Sequence, residues 1–517
     1  MQRRCSTGRR CARIGISRRA AILAAATVLF ALCGRPLLAA TNTWIGATGD
    51  WYAPANWSEG NYPQPGESVL IASGAVLLSN STPVLDQFVI TNATLTFTNW
   101  STALSATNVV IRNNGKLTHA ICNTNTVASN TNRVCVVATH VTIEAGGAIN
   151  VDLKGWQGGP STTGYGLGAA AFDRGAAGHG GRGSTYQSGT WGGPTYGATN
   201  APEAPGSGGN GAFGATGGAG GGAVRIDAGG HVLVNGTITA NADYGTQPGN
   251  CGGGSGGSAY ITCATLAGTN GAIRANGGGG GNGGGGGGRI TVICNDAVAQ
   301  VLLPRHTIGL SALRGAGGAF PAELGTLYLS HESLLPETMN AVNGRLRGLP
   351  SWSLGLDHLA MSNSWVSLPD DVASIVLTVT NNMVMNGSVL DVDGYAASRT
   401  PLTLLVGGDL ALTNASSLYV YGGLTNAATT NYGALVSVTG SISVASNGAI
   451  YPRCHATNGG AVCFVASNLT VDGGGTINAD GRGWVTGYGP SVPPGGGRGG
   501  SGPGGPGGKA DNGPALG

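Results

Sequence analysis

Side chains able to do chemistry are sparse in this chain, because only 9% of its residues are charged. Cleavage of a glycosidic bond needs two carboxyl groups facing one another across the substrate. The candidates are Asp152, Asp391, Asp393 and Asp480, with Lys154 and Arg482 close by in sequence. Asp152 and Asp480 fall at equivalent positions of an internal repeat, as turn-capping residues do, whereas an active site is normally unique; no catalytic residue is assigned. Asp391-Val392-Asp393-Gly394 begins like a Ca²⁺ loop. Such a loop needs further spaced oxygen ligands, which the following Tyr-Ala-Ala does not supply, so no metal site is assigned. Gly178-His179-Gly180 is similar to a fragment of pectin-hydrolase sites and, amid this much glycine, reads as coincidence. Neither Gly-Lys-Ser nor Gly-Lys-Thr occurs, so the glycine forms no phosphate loop and no cofactor is expected.

Seven cysteines lie beyond the first forty residues: Cys122, Cys135, Cys251, Cys263, Cys294, Cys454 and Cys463. The pair Cys122 and Cys135 recurs as Cys454 and Cys463 with loops of different length between. Disulfides Cys122–Cys135 and Cys454–Cys463 are therefore expected, in keeping with an oxidising compartment. Buried thiols filling core positions are the alternative. Cys263 and Cys294 end matching strands and are expected to lie over one another, so one of these, or Cys251, is left over. No cysteine stands at metal-ligand spacing from a histidine. Trp156, Trp191, Tyr196, Trp484 and Tyr488 lie in glycine-rich stretches and are candidates for stacking on sugars. Trp156 and Trp484 share a repeat position, which favours a covering role for those two.

The elements that must position these residues come from a repeat. Residues Cys135 to Trp156 align without a gap on Cys463 to Trp484, an offset of 328 (463 − 135). A shorter unit, Val224-Arg225-Ile226-Asp227 followed by Asn235-Gly236-Thr237-Ile238, recurs from Tyr260 and begins again at Gly288. Apolar residues alternate within each unit, as in Val141, Ile143, Ile149 and Val151, with Ala-Gly-Gly or Asn-Gly between the runs, the pattern of strand, turn, strand. One such strand pair cannot bury its apolar face alone, so the units must stack. The expected fold is all-β, a parallel β-helix (β-solenoid) with long glycine-rich loops; tandem β-sandwich domains are the alternative. Isoleucines 149 and 477 should point inward, and the glycine-rich stretches should lie outside the core and tolerate deletion.

The parts divide as an export signal over 1–40, a Trp-rich cap with the first coils over 41–120, and a first solenoid cycle over 121–296. A Pro-containing, irregular joint follows over 297–375, a second cycle over 376–485, and a Gly/Pro-rich tail over 486–517, which ends the protein or interrupts a longer one. Glycine supplies 97 of 517 residues without a Gly-X-Y period, which excludes collagen. Of 26 Lys and Arg, eight arginines fall in the first forty residues, leaving 18 basic against 23 acidic residues and a mildly acidic remainder that suits nucleic acid poorly. Those forty residues have a basic stretch, an apolar run from Ala20 to Leu32 and small residues at Ala39-Ala40, the parts of an export signal. Arg18-Arg19 also fits a twin-arginine address, with the general secretory route as the alternative. No later stretch is long and apolar enough to span a membrane as a helix.

Trp44-Ile45-Gly46-Ala47-Thr48-Gly49-Asp50-Trp51, Pro54-Ala55-Asn56-Trp57 and Pro63-Gln64-Pro65-Gly66-Glu67-Ser68-Val69 resemble the opening of large secreted bacterial β-solenoid proteins, the autotransporter-like and adhesin-like glycine-rich repeat group. The Gly-Gly-Gly-Gly-Arg-Ile-Thr-Val run ending at Val292, with Gly325-Thr326-Leu327-Tyr328-Leu329, is similar to glycine-loop units of that group. The resemblance implies an extracellular or cell-surface location and a non-catalytic scaffold, adhesin or matrix role. The partner would be a surface or extracellular polysaccharide or a protein. A carbohydrate-binding protein and a β-helix lyase or hydrolase are the alternatives.

Overall fold

A computed structural model describes residues 41–122, 132–187, 190–246, 249–392, 400–424 and 432–484. The chain winds as a stack of short strands, which pair in parallel with strands of the coil before or after. Parallel pairing throughout excludes tandem β-sandwiches, whose sheets are antiparallel. One complete coil shows the plan: Ala223–Ala228, His231–Val234 and Thr237–Thr239 follow one another round three sides. The next coil repeats it in Ser258–Cys263, Thr265–Ala267 and Ala272–Arg274, each strand lying on its counterpart.

Alternation explains what is inside. In Ala223–Ala228 the side chains of Val224, Ile226 and Ala228 are buried while Arg225 and Asp227 between them are half-buried. Register then stacks like on like: Leu95, Leu117, Ile149, Ile238, Ile273 and Leu310 lie over one another in successive coils and are all inaccessible to solvent. Each such residue contributes about 1.5 to 3 kcal/mol by burial, and the strands are too short to fold without it. The N-terminal end of the column is closed by Trp44, Trp51 and Trp57, which meet edge to face at 5.2 and 4.8 Å.

The two halves of the long repeat have the same backbone. Gly147 N–H donates to Glu144 O and Gly475 N–H to Asp472 O; Gly146 and Gly474 both have positive φ, 84° and 89°. The amides of Asp152 and Asp480 donate to Oδ1 of Asn150 and Asn478. Cys122 and Cys454 donate their amides to the carbonyls of Lys154 and Arg482. Burial differs. Ile149 is fully buried, whereas Ile477 is 38% exposed because no further coil lies over Thr476–Ile477 among the described residues.

The segment 297–375 is more regular than its prolines suggest. After a one-and-a-half-turn helix, Ala297–Leu302, it adds Gly309–Ser311, Thr326–Leu329, Thr338–Asn340, Asn343–Arg347, Ser353–Leu356, Leu359–Ser362 and Trp365–Leu368 to the stack. Alternation is present here in brief pairs such as Leu354 and Leu356 or Leu359 and Met361. The coils do change phase here, since Asn343–Arg347 pairs backwards with both Gly309–Ser311 and Thr326–Leu329. No helix among the described residues is long and apolar enough to cross a membrane.

Candidate functional site

Four successive coils send out their connections at the same corner: residues 151–222, 240–257, 275–288 and 312–325 join a strand of one side to the first strand of the next coil. These connections hold the long glycine runs, and their described residues are extensively hydrogen-bonded to one another. Residues 252–257 show how they are organised. Gly252 and Ser255 donate N–H to Asn210 O and Ser207 O; Gly253 and Gly256 donate to Gly283 O and Gly286 O; Gly254 and Gly257 donate to Asp243 O and Ala240 O, all at 2.8 to 3.1 Å. The bond direction thus repeats every third residue, towards a different neighbouring segment each time. That is the period of a polyproline II-type helix, which makes no bonds within itself and must find them outside.

Glycine is obligatory in this bundle for space. A Cβ at Gly158 would lie 1.8 Å from Gly217 O, at Gly209 2.1 Å from Gly252 O, and at Gly257 1.9 Å from Gly222 O. Segments pack backbone against backbone, so the connections form a slab with almost no side chains in it. Polar side chains that enter it stitch segments together. Buried His179 holds Gly256 O through Nδ1 at 2.8 Å and stacks on Tyr196 at 4.5 Å. The Tyr196 hydroxyl donates to Pro205 O and accepts from Ser207, while Arg289 donates to Tyr196 O and His179 O. Burial lowers the His179 pKa to about 3 and, with Arg345 beside it, that of Arg289 to about 10; burial raises that of Tyr196. These groups are held in single protonation states near neutrality.

Side chains reappear where the segments turn. In the turn Phe172 to Gly175, Arg174 has φ 56° and Gly175 N–H donates to Phe172 O. In the turn Ala212 to Ala215, Phe213 and Gly214 have φ of 51° and 85°, and Ala215 N–H closes it on Ala212 O at 2.9 Å, a type I′ turn. The Arg174 guanidinium lies 4.4 Å from the Tyr186 ring centre and 5.4 Å from that of Phe213, and pairs with Asp173 at 3.1 Å. Phe213 is 75% exposed, Phe172 45% and Tyr186 37%. Buried Asn210 fixes the first turn from below, donating from Nδ2 to Ala170 O and Phe172 O and accepting from Gly164 N–H. The result is an exposed aromatic group on a rigid, side-chain-poor support.

The residues singled out by sequence are placed elsewhere. Asp152 accepts Asn241 N–H at 2.6 Å, Asn241 accepts Asn276 N–H and Asn276 accepts Leu313 N–H, so this corner carries a ladder of side-chain caps from coil to coil. Six parallel pairings separate the strand before Asp152 from that of Asp391, about 29 Å at the ~4.8 Å strand spacing. Asp391 accepts from Trp365 Nε1 and the Ser367 hydroxyl; Asp480 is exposed on the last described coil, and Asp393 lies outside the described residues. The described carboxylates, Asp152, Asp391 and Asp480, are not brought together.

Nor are the expected cysteine pairs joined. Cys135 alternates outward from Val134 and Val136 and faces Arg225 in the next coil, while Cys122 sits on Asn132 O and Cys454 on Arg482 O; all four of Cys122, Cys135, Cys454 and Cys463 are thiols. Cys263 and Cys294 do lie in register in adjacent coils. Among the aromatics, Trp156 is buried at the root of the bundle and Tyr196 is tied into it, Trp191 packs on Phe320 at 4.6 Å, Trp484 is exposed, and Tyr488 lies outside the described residues. Sequence reasoning missed Phe172, Asp173, Arg174, Tyr186 and Phe213. Their signal was present: a lone aromatic among small residues inside a glycine run marks a tip.

Residues 56–139 match the G8 domain family. They span the strands from Ser68–Ile71 into Val134–Ile143, the first coils of the stack and the part that precedes the bundle. No curated protein and no solved structure matches the chain.

Proposed function

We propose that this chain is an exported scaffold with an adhesive role at a cell surface or in an extracellular matrix. The observation that carries the reading is the pairing of two packed bodies: a stacked-coil column, and a glycine slab joined to it at the same corner of four successive coils, with exposed aromatic side chains at two of its turns. Such a build holds a contact surface away from a column at low conformational freedom, which preserves binding free energy that a flexible loop would lose to ordering. The signal-like residues 1–40 and the resemblance of residues 43 to 79 to secreted solenoids support export.

Fractionation of producing cells, with N-terminal sequencing of the extracellular protein and adhesion of protein-coated beads to cells, tests the reading. Mature protein beginning near Thr41 and bead retention are expected. An arginine-rich start on protein confined to the cytoplasm, or beads that adhere to nothing, would overturn it.

A further inference from the structure

We infer that the tip cluster of Phe172, Asp173, Arg174, Tyr186 and Phe213 is a binding site for a polysaccharide of pyranose rings, a specific form of the adhesive role above and resting on it. Phe213 carries the argument. It occupies the first central position of a type I′ turn with φ 51°, a place suited to Asn, Asp or Gly. Left-handed backbone is costly for a bulky residue, and with 75% of Phe213 exposed, packing returns little for it. Strain held at an exposed aromatic points to use of the ring.

The chemistry around the ring fits a sugar. A pyranose presents an apolar C–H face and a rim of hydroxyls. Here two rings flank a guanidinium that is paired with a carboxylate at 3.1 Å, so flat apolar surface stands beside both donors and acceptors. Phe172 follows Ala171, and Phe213 stands between Ala212 and Gly214. A protein partner would want a contiguous apolar centre within roughly 800 Å² per side; separate rings on a glycine and alanine floor suit separate sugar units instead. The geometry is fixed before binding by Asn210 under the first turn, by the Ser161 hydroxyl, which accepts Gly214 N–H at 2.8 Å, and by the Thr185 hydroxyl against Gln187 O and Thr190 O beside Tyr186.

The test uses the full chain on immobilised glucans, xylans, mannans and polyuronates, with Phe213→Asn and Tyr186→Ala beside it. Native protein should be retained on at least one polymer, and both variants should bind it at least tenfold more weakly. The melting midpoint of Phe213→Asn should equal or exceed the native one, since Asn suits the turn, which separates lost binding from lost folding. No retention on any polymer, or native affinity in both variants, overturns the proposal. Adhesion to cells should also be lost after periodate treatment of the cells. Loss only after protease treatment would identify a protein ligand, overturning the glycan site while leaving the adhesive role; absence of adhesion to untreated cells would overturn both.

Discussion

A Cβ placed on Gly158 would lie 1.8 Å from the carbonyl oxygen of Gly217, closer than any carbon can approach an oxygen without a bond. The slab therefore has no slack for an added methyl group, and its tolerance of substitution should differ sharply from that of open glycines. Gly158→Ala and Gly257→Ala should each destabilise by at least the 1 to 3 kcal/mol typical of overpacking. Gly229, with nothing within 4 Å of its Cβ position and no positive φ, is the control: Gly229→Ala should be neutral or slightly stabilising. Urea midpoints of the three variants decide the point, and equal midpoints would mean the slab is not packed as described.

Ile149 and Ile477 stand at the same repeat position but differ in cover. Ile149→Ala should cost about 2 to 5 kcal/mol, the range for a buried isoleucine. Ile477, 38% exposed, should cost clearly less on the same change. Chemical denaturation of the two single variants measures the gap; equal losses would indicate that a further layer covers Ile477 in solution.

Three buried histidines set the response to acid. His119 accepts Ala223 N–H on Nε2 and holds Ala120 O through Nδ1; His306 accepts Ile308 N–H on Nδ1 and holds Leu334 O through Nε2. A neutral tautomer fits both, and burial lowers their pKa values to about 4, with that of His179 at about 3. The folded values lie below the unfolded one near 6.5, so the unfolded chain binds more protons. Stability is full above about pH 6.5 and falls as pH drops towards 4, by about 1.4 kcal/mol per pH unit for each histidine. Melting midpoints from pH 7.5 to 4.5 should fall accordingly, and a flat profile would contradict the burial of these rings.

The cysteines should divide by accessibility. Cys263 is fully buried, and burial together with neighbouring Cys294 pushes its pKa up to about 12. Iodoacetamide on the native chain should therefore modify half-buried Cys454 and Cys463 well before Cys263. Peptide mapping without reduction should find no Cys122–Cys135 or Cys454–Cys463 link; recovery of either cross-linked peptide would refute the thiol arrangement.

Period-two alternation in short runs such as Val141, Ile143, Ile149 and Val151 was enough to read the stacked coils, and the ungapped copy at Cys463 was enough to read their repetition. The structural role of Asp152 was equally legible, because an aspartate, Asp480, stands at the equivalent position of the other repeat copy. What sequence could not carry was anything set by contact between distant backbones. A glycine in a slab and a glycine in a slack loop are the same letter, and only the alternation of bond direction around residues 252–257 distinguishes them. The cluster, as distinct from its single aromatics, was missed for the same reason: Tyr186 and Phe213 come beside Arg174 only once the slab is folded. Covalent pairing of the cysteines was inferred from recurrence, yet recurrence is also what equivalent sites in a stack produce.

The composition of the glycine slab also bears on how the molecule responds to cold. Unfolding the coil column exposes apolar surface and raises heat capacity, which curves its stability and weakens it on cooling. Unfolding the slab exposes mainly peptide groups, whose hydration changes heat capacity in the opposite direction. A slab that opened apart from the column would therefore lose less of its stability on cooling than the apolar coils to which it is joined.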